Sequence, residues 1–309
     1  PRVRRQRQMC IRDRTLLFAT DNELWIGTES GAYIYNLRTG KYTHLRSSEY
    51  DPYSLSDNAI YSFCKDREDG IWIGSYFGGV NYYPRSYTHF EKYYPKGEEN
   101  SLHGKRVREF CRDNYGVLWI GTEDGGLNRF NLNTKEFSFF APSAGFTNIH
   151  GLCLVDDKLW VGTFSKGLKI IDTRTGTVLK TYQKNSSPRS LIDNSIFAIC
   201  RTATGDIYLG TMFGLVKYNK QSDDFDRIPE LNGKFVYDIK EDSGGNIWLA
   251  TYANGAYCYN VNDRKWKNYV HDEKDTTSLS YNKVSSIFED SYHRIWLTTQ
   301  GGGFCLFHP

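Results

Sequence analysis

One five-residue pattern occurs seven times along the 309-residue chain. It places an aromatic residue between two apolar ones and ends with a small residue and Thr or Ser, as in residues 24–28 (LWIGT). The aromatic residues stand at positions 25, 72, 119, 160, 208, 248 and 296, which are 40 to 48 residues apart. Repeats of this length are each one supersecondary unit that buries its apolar faces against its neighbours. We therefore expect seven similar units stacked on one another.

The second copy shows why each unit is expected to be a four-stranded meander. Residues 60–65, 71–75, 80–83 and 88–93 are short runs rich in β-branched and aromatic residues, separated by turn-forming segments. The run at 71–75 is apolar at consecutive positions, which indicates a strand buried on both faces. Radial stacking of four-stranded sheets buries both faces of each sheet. The sequence therefore predicts an all-β fold, a β-propeller with seven four-stranded blades. The first copy lacks a proper lead-in, and the last lacks a fourth strand.

The N-terminal segment differs from the rest in charge. Residues 1–14 carry six Arg and one Asp, so the other 295 residues sum to −2 although the whole chain carries +3. We interpret residues 1–14 as a disordered basic tail and residues 15–309 as the propeller domain. Two alternatives remain open: an arm that binds nucleic acid or anionic lipid, and a non-native stretch at residues 9–14 (MCIRDR). No apolar run is long enough to span a membrane.

The cysteines and the turn aspartates are expected to be structural. The seven cysteines form no CxxC pair and no zinc spacing, so we predict small buried thiols rather than disulfides or metal ligands. Four aspartates stand six residues before an anchor aromatic and are interpreted as turn residues: Asp66, Asp113, Asp242 and Asp290.

Ligand-binding candidates come from two places in the repeat. In a propeller, the loops between strands two and three share one face with the loops that join successive blades. Flat rings beside carboxylates and amides in such loops suit the apolar faces and hydroxyl edges of sugars. The loop candidates are Tyr76, Phe77, Glu123, Asp124, Phe164, Lys166, Phe213, Tyr252, Asn254 and Gln300. Polar residues 14 positions before an anchor open strand one near the axis, and they either line a funnel or cap the turn locally. These candidates are Asn58, Lys105, Asn194 and Asn282.

Residues 113–122 (DNYGVLWIGT), residues 242–251 and the Ser-Leu-x-x-Asn loops resemble the two-component regulator propeller repeat. The resemblance covers residues 15–307. It implies a ligand-sensing propeller in the periplasmic sensor region of a Bacteroidetes hybrid histidine kinase, an inner-membrane protein. It further implies an oligosaccharide ligand, control of polysaccharide-utilisation genes, and kinase activity and homodimer contacts in parts of the parent protein outside this region. Family members carry two seven-bladed propellers, and residues 76–83 (YFGGVNYY) resemble the junction between them. The repeats therefore form one ring or straddle two tandem rings.

Other functional classes have weaker support. None of the seven histidines recurs with a carboxylate at an interpretable spacing, and no nucleophile elbow, phosphate loop or metal motif occurs. We therefore predict no catalytic residue, metal or cofactor, and no nucleic-acid or membrane contact by this region. Two alternatives stay open. One is a propeller lyase or glycosidase, for which Glu123 and Asp124 are the first paired carboxylates to examine. The other is a protein-binding propeller scaffold.

Overall fold

The structure, a computed structural model, describes residues 13–85, 91–97, 99–140 and 145–308. These residues form 26 β-strands in seven separate antiparallel sheets, and a short 3₁₀ helix at Pro229–Leu231. Within each sheet the strands pair in chain order. The chain divides into two compact units, Pro1–Glu98 and Glu99–Pro309. Each anchor pattern forms the second strand of its sheet, as predicted from the repeat.

The N-terminal unit contains sheets 1 and 2. Sheet 1 consists of β1 (Asp13–Thr20), β2 (Glu23–Thr28), β3 (Gly31–Asn36) and β4 (Tyr42–Leu45). Sheet 2 consists of β5 (Ile60–Lys65), β6 (Ile71–Ser75) and β7 (Val80–Tyr83).

The C-terminal unit contains sheets 3 to 7. Sheet 3 consists of β8 (Val107–Arg112), β9 (Val117–Thr122), β10 (Gly126–Asn131) and β11 (Phe137–Phe139). Sheet 4 consists of β12 (Ile149–Val155), β13 (Lys158–Thr163), β14 (Leu168–Asp172) and β15 (Val178–Tyr182). Sheet 5 consists of β16 (Ile196–Arg201), β17 (Ile207–Thr211), β18 (Gly214–Asn219) and β19 (Asp224–Arg227). Sheet 6 consists of β20 (Val236–Glu241), β21 (Ile247–Thr251), β22 (Ala256–Asn260) and β23 (Lys265–Tyr269). Sheet 7 consists of β24 (Val284–Glu289), β25 (Ile295–Thr299) and β26 (Gly303–Leu306).

The ends of the repeat array differ in part from the sequence prediction. Sheet 1 has a complete first strand, so the expectation that the first copy lacks a lead-in is wrong. Because β1 begins at Asp13, residues 13 and 14 lie in a strand rather than in the predicted tail, whereas residues 1–12 lie outside the described residues. In the second copy, residues 91–93 form no strand, and residues 86–90 lie outside the described part. Sheet 7 has three strands among the described residues, as predicted.

Two hydrogen bonds explain the recurring Asp and Thr of the repeat. The indole nitrogen of Trp119 donates to Asp113 Oδ2 at 2.8 Å, while Asp113 Oδ1 accepts the turn amides of Tyr115 and Val117. The equivalent Trp–Asp bonds, Trp72–Asp66, Trp248–Asp242 and Trp296–Asp290, measure 3.0, 2.8 and 2.9 Å. These four aspartates are therefore structural, as expected. At the other end of strand two, the Thr or Ser hydroxyl donates to the glycine carbonyl that closes the next turn, as Thr122 does to Gly126 at 3.0 Å.

The cores lie between successive sheets within each unit, where five of the seven anchor aromatics pack against the following sheet. Trp25 contacts the rings of Phe63 and Tyr83 in sheet 2 at 5.7 and 5.0 Å. In the C-terminal unit, Trp160 contacts Tyr218 of sheet 5, and Trp248 contacts Phe307, which follows β26. Removing such a buried indole costs about 3–5 kcal/mol of folding free energy.

The cysteines are free thiols at the six described positions, and Cys10 lies outside the described residues. Burial raises the pKa of Cys111 and Cys200 to about 11 and that of Cys258 to about 12. Cys64 is exposed, so the prediction of burial is wrong for this residue. Among the described residues, no helix has the length and apolar character needed to cross a bilayer.

Candidate functional site

All seven first strands contain a β-bulge at the same place. Their pairing with the second strand shifts by one residue directly after the first paired residue. A bulge leaves the extra residue outside the ladder and re-aims its side chain. The bulged residues are Arg14, Tyr61, Arg108, His150, Phe197, Tyr237 and Ser285.

In the C-terminal unit, the bulged side chains of four successive sheets meet. Arg108 of sheet 3 donates from Nη1 to the Tyr237 hydroxyl of sheet 6 at 3.2 Å, and its guanidinium carbon lies 5.7 Å from the ring of Phe197. The rings of His150 and Phe197 are 4.5 Å apart, and those of Phe197 and Tyr237 are 5.8 Å apart. These contacts join residues up to 129 positions apart in the sequence. The first strands of sheets 3 to 6 therefore surround a common axis in this unit.

A cavity of about 410 Å³ lies along the same first strands. Its lining includes Glu109, Asp238, Lys240 and Ser286 as well as the bulged Arg108. Its volume falls within the range of small-molecule binding pockets. The cavity is thus large enough for one or two sugar rings and is lined mainly by polar groups.

The two carboxylates of this cavity differ in their surroundings. Asp238 is fully engaged, because its Oδ2 accepts hydrogen bonds from Ser286 Oγ and Ile287 N, both at 3.0 Å. Glu109 faces Arg108 at 3.9 Å, beyond hydrogen-bond distance. Burial raises the pKa of Glu109 to about 7, although Arg108 acts in the opposite direction. Glu109 therefore exchanges a proton near neutral pH.

His150 is buried at the edge of this site. Burial, reinforced by the nearby Arg108 charge, lowers the pKa of its imidazole to about 4, although Glu123 acts in the opposite direction. The ring is therefore neutral at physiological pH. Its Nδ1 has no hydrogen-bond partner among the described residues.

The loops between strands two and three lie beside the starts of the first strands. In six sheets, the first residue of the loop between strands two and three donates its amide to the carbonyl of the residue just before the first strand. Tyr252 N, for example, donates to Phe235 O at 3.0 Å. The equivalent donors are Tyr76, Glu123, Phe164, Met212 and Gln300. We call this end of the sheets the loop end. Within each unit, the two predicted sets of candidates therefore lie at the same end.

Five aromatic residues form a continuous surface at the loop end of the C-terminal unit. Phe164 lies 6.1 Å from Phe197, Phe197 lies 4.4 Å from Phe235, and Phe235 lies 5.4 Å from Tyr252. Tyr237 lies 5.6 Å from Phe235. We call Phe164, Phe197, Phe235, Tyr237 and Tyr252 the aromatic cleft. The two predicted members, Phe164 and Tyr252, are its most exposed rings, at 39% and 42%.

The structure gives the remaining predicted residues of this unit different roles. Glu123 pairs with Arg108 at 3.2 Å and so borders the aromatic cleft. Asp124 instead accepts the backbone amides of Lys105 and Arg106 at 2.9 and 3.0 Å. Burial works to raise the pKa of Asp124, but these hydrogen bonds hold it below its usual value. Glu123 and Asp124 therefore do not act as a carboxylate pair.

The predicted asparagines hold the preceding loops in place. Asn194 Oδ1 accepts the Lys184 amide, and Asn282 Oδ1 accepts the His271 amide, both at 2.7 Å. These bonds match the capping alternative. The other candidates lie in the loops at this end, where Lys166, Phe213 and Gln300 are exposed and Asn254 is half-buried.

The remaining three candidates belong to the N-terminal unit. Tyr76 stacks on the bulged Tyr61 at 5.0 Å and contacts Phe77 edge-on at 4.2 Å. Arg14 lies 4.3 Å over the Tyr61 ring and bonds to Glu29 at 2.5 Å. Asn58 Oδ1 accepts the Ser47 amide at 2.8 Å, which is again a capping role.

The sequence analysis missed Arg108, Phe197, Phe235 and Tyr237 as site residues. Arg108, Phe197 and Tyr237 directly follow the first residue of a first strand, and Phe235 directly precedes such a residue. Strict alternation would assign Arg108 and its equivalents to the solvent side of a regular strand. Only the bulge, which the periodicity does not show, turns them toward the axis.

Seven meander sheets with bulged first strands, stacked within each unit, define a β-propeller protein with a candidate ligand site at the loop end of the C-terminal unit. The family model described as two-component regulator propeller matches residues 54–77, 101–124, 230–253 and 278–301. Each match runs from the loop before a first strand, through the anchor, into the next loop. Four stretches of the chain thus match the two-component regulator propeller repeat.

Known proteins with longer chains are similar to this one in sequence or in fold. A curated protein named Histidine kinase P4, from Formosa agariphila, is 27% identical over 151 residues, which is 49% of this chain and 8% of that protein. The extracellular domain of a protein assigned to the hybrid two-component systems of B. thetaiotaomicron superimposes with a TM-score of 0.60 at 22% identity. That match covers 96% of this chain and 39% of the other.

A further structural match is PorZ of Porphyromonas gingivalis, described as a surface component of the type-IX secretion system. Its TM-score is 0.58 at 15% identity, over 95% of this chain and 46% of the other. At such identities the structural likenesses show the fold. The chain spans less than half the length of each of these proteins.

Proposed function

We propose that this chain is a ligand-sensing propeller region of a hybrid two-component sensor kinase and that its ligand is an oligosaccharide. The repeat family and the likeness to extracellular domains of two-component systems support a periplasmic sensor region rather than a catalytic one. The parent protein would carry the kinase and dimer contacts in parts outside this chain, and would regulate polysaccharide-utilisation genes. Binding transmits a signal only if the ligand favours one of two states of the protein.

The aromatic cleft is the observation that carries the proposed ligand class. Phe164 and Tyr252 present exposed rings on either side of the more buried Phe197 and Phe235. Pyranose rings have apolar faces that stack on such rings and hydroxyl edges that need polar partners. The cavity beside the cleft supplies those partners through Arg108, Glu109 and Lys240.

Calorimetric titration of the full chain with a panel of neutral and acidic oligosaccharides tests this proposal. We expect at least one oligosaccharide to bind, and Phe164→Ala and Tyr252→Ala each to weaken it roughly five- to tenfold, the value of one lost aromatic contact. Tyr292→Ala is the matched control, because Tyr292 is an exposed tyrosine in the turn between strands one and two of sheet 7. If no glycan binds while a protein partner does, the scaffold alternative is favoured instead.

One observation favours the enzyme alternative. The Glu109 carboxyl lines the cavity with a pKa of about 7, a value suited to general acid–base chemistry. A lyase or glycosidase would consume the oligosaccharide, and Glu109→Gln would abolish that turnover. Product analysis after prolonged incubation distinguishes the two functions, since a sensor returns its ligand unchanged.

A further inference from the structure

Five basic side chains occupy the loop end of the C-terminal unit without acidic partners. Among the described residues none of them forms an ion pair. Their place is fixed by the backbone, because Arg106 and Lys283 accept loop amides through their carbonyls and Lys166 lies in a loop itself. The five residues are Lys105, Arg106, Lys166, Lys234 and Lys283. We call them the basic rim.

Several basic residues elsewhere in the same unit are paired. At the opposite end of the sheets, Arg201 pairs with Asp156, Lys217 with Asp206 and Arg294 with Asp290, at 3.1, 2.8 and 2.6 Å. On the outer strands, Arg189 pairs with Asp224 at 2.5 Å. Within the described part of the chain, the basic rim lacks the carboxylate partners that these residues have.

The acidic residues at the loop end do not neutralise the basic rim. Asp124 is occupied by the backbone amides of Lys105 and Arg106, and Glu123 is paired with Arg108. A further carboxylate, Asp193, accepts the Ser195 amide at 2.8 Å just before β16, so the five cations of the basic rim outnumber the carboxylates beside the starts of the first strands. Clefts lined by one sign of charge attract ligands of the opposite sign.

One rim residue is joined to the aromatic cleft itself. Lys283 Nζ lies 4.0 Å from the centre of the Tyr252 ring. A sugar ring stacked on Tyr252 would therefore place its substituents beside this ammonium group. We infer that the ligand of the aromatic cleft is an acidic oligosaccharide whose carboxylate or sulfate group is bound by the basic rim. This inference rests on the proposed function and specifies the class of its ligand.

Matched pairs of sugars separate the charge from the sugar ring. The full chain is titrated with a galacturonic acid tetrasaccharide and with its carboxyl-reduced neutral form, and separately with a sulfated galactan tetrasaccharide and its desulfated form. We expect one acidic member to bind at least tenfold more tightly than its neutral partner. That advantage should shrink as salt rises from 50 to 500 mM, because salt screens exposed charges. The pair that shows the preference identifies carboxylate or sulfate as the recognised group.

Lys283→Met tests the assigned contact while keeping most of the apolar stem of the side chain. We expect this substitution to weaken binding of the preferred acidic sugar about five- to tenfold, the effect of one lost charge-assisted contact. Binding of the neutral partner sugar should be unaffected. Lys267→Met is the matched control, because Lys267 also lies over a tyrosine, Tyr269 at 4.8 Å, but on an outer strand. The control variant should bind like the original chain.

The outcomes separate this inference from the proposed function. Equal binding of acidic and neutral sugars would overturn the inference and leave the oligosaccharide site intact. An equal loss in Lys283→Met and Lys267→Met would also overturn it, because the attraction would then be a general effect of net charge. If no sugar of either kind binds, the proposed function itself fails, and the inference fails with it.

Discussion

The buried His150 ring should make the C-terminal unit less stable in mild acid. Its pKa is about 4 in the folded chain against an ordinary value of 6.5, so the unfolded state binds the proton more tightly. The stability that His150 contributes is therefore complete above pH 6.5 and is lost as the pH falls toward 4. A tenfold change in proton affinity corresponds to about 1.4 kcal/mol, so the loss amounts to roughly 3 kcal/mol.

The perturbation is His150→Phe, which keeps a ring against Phe164 and Phe197 but cannot be protonated. Urea denaturation is followed at pH 7.5 and pH 4 through hydrogen-exchange protection in β12 and β16, so that only the C-terminal unit is monitored. Other titrating groups act in both proteins and cancel in the difference. Between pH 7.5 and pH 4, we expect the free energy of unfolding of the variant to rise by roughly 3 kcal/mol relative to that of the original chain. A difference independent of pH, or an NMR titration of His150 with a midpoint near 6.5, would refute the reasoning.

Three further changes test other parts of the structure. Trp119→Phe leaves the buried Asp113 carboxylate without its indole donor and should lower the free energy of unfolding by about 2–3 kcal/mol. An unchanged urea midpoint would contradict this structural role. For Glu109, burial raises the folded pKa to about 7, so the stability it contributes is lost as the pH rises from 4.5 through 7. Glu109→Gln should therefore gain thermal stability over the original chain across that range, and a constant difference in denaturation temperature would argue against the assignment. Thr251→Val removes the 2.6 Å hydrogen bond to Gly255 and should speed amide exchange around Tyr252 by about tenfold; unchanged exchange would mean that this bond does not hold the loop.

The strands could be predicted because the repeat supplies several agreeing signals. The runs predicted at residues 60–65, 71–75 and 80–83 coincide with β5, β6 and β7. Their ends are marked by turn residues whose side chains close the turns, as Asp66 and Ser75 do. The fourth strand of the second copy had only aromatic content to support it, and residues 91–93 are not part of a strand.

The candidate site could be predicted only in part. The loop position of Phe164 and Tyr252 follows from the repeat, because a loop between strands two and three has a fixed place in a meander. The roles of Asp124 and Asn282 do not follow from it, since a polar side chain at the loop end can face a ligand or cap a backbone, and both residues cap. The bulge that turns Phe197 toward the axis changes the local strand geometry without leaving a signal in the hydrophobic pattern.

A crystal structure of the full chain with the tightest-binding oligosaccharide of the panel tests the central proposal most directly. The account predicts a sugar ring stacked on Phe164 or Tyr252, with polar groups directed to Arg108 and an acidic substituent within 4 Å of Lys283, the distance of an ion pair. Sugar bound instead at Tyr76 and Phe77 in the N-terminal unit, with an empty aromatic cleft, would contradict it.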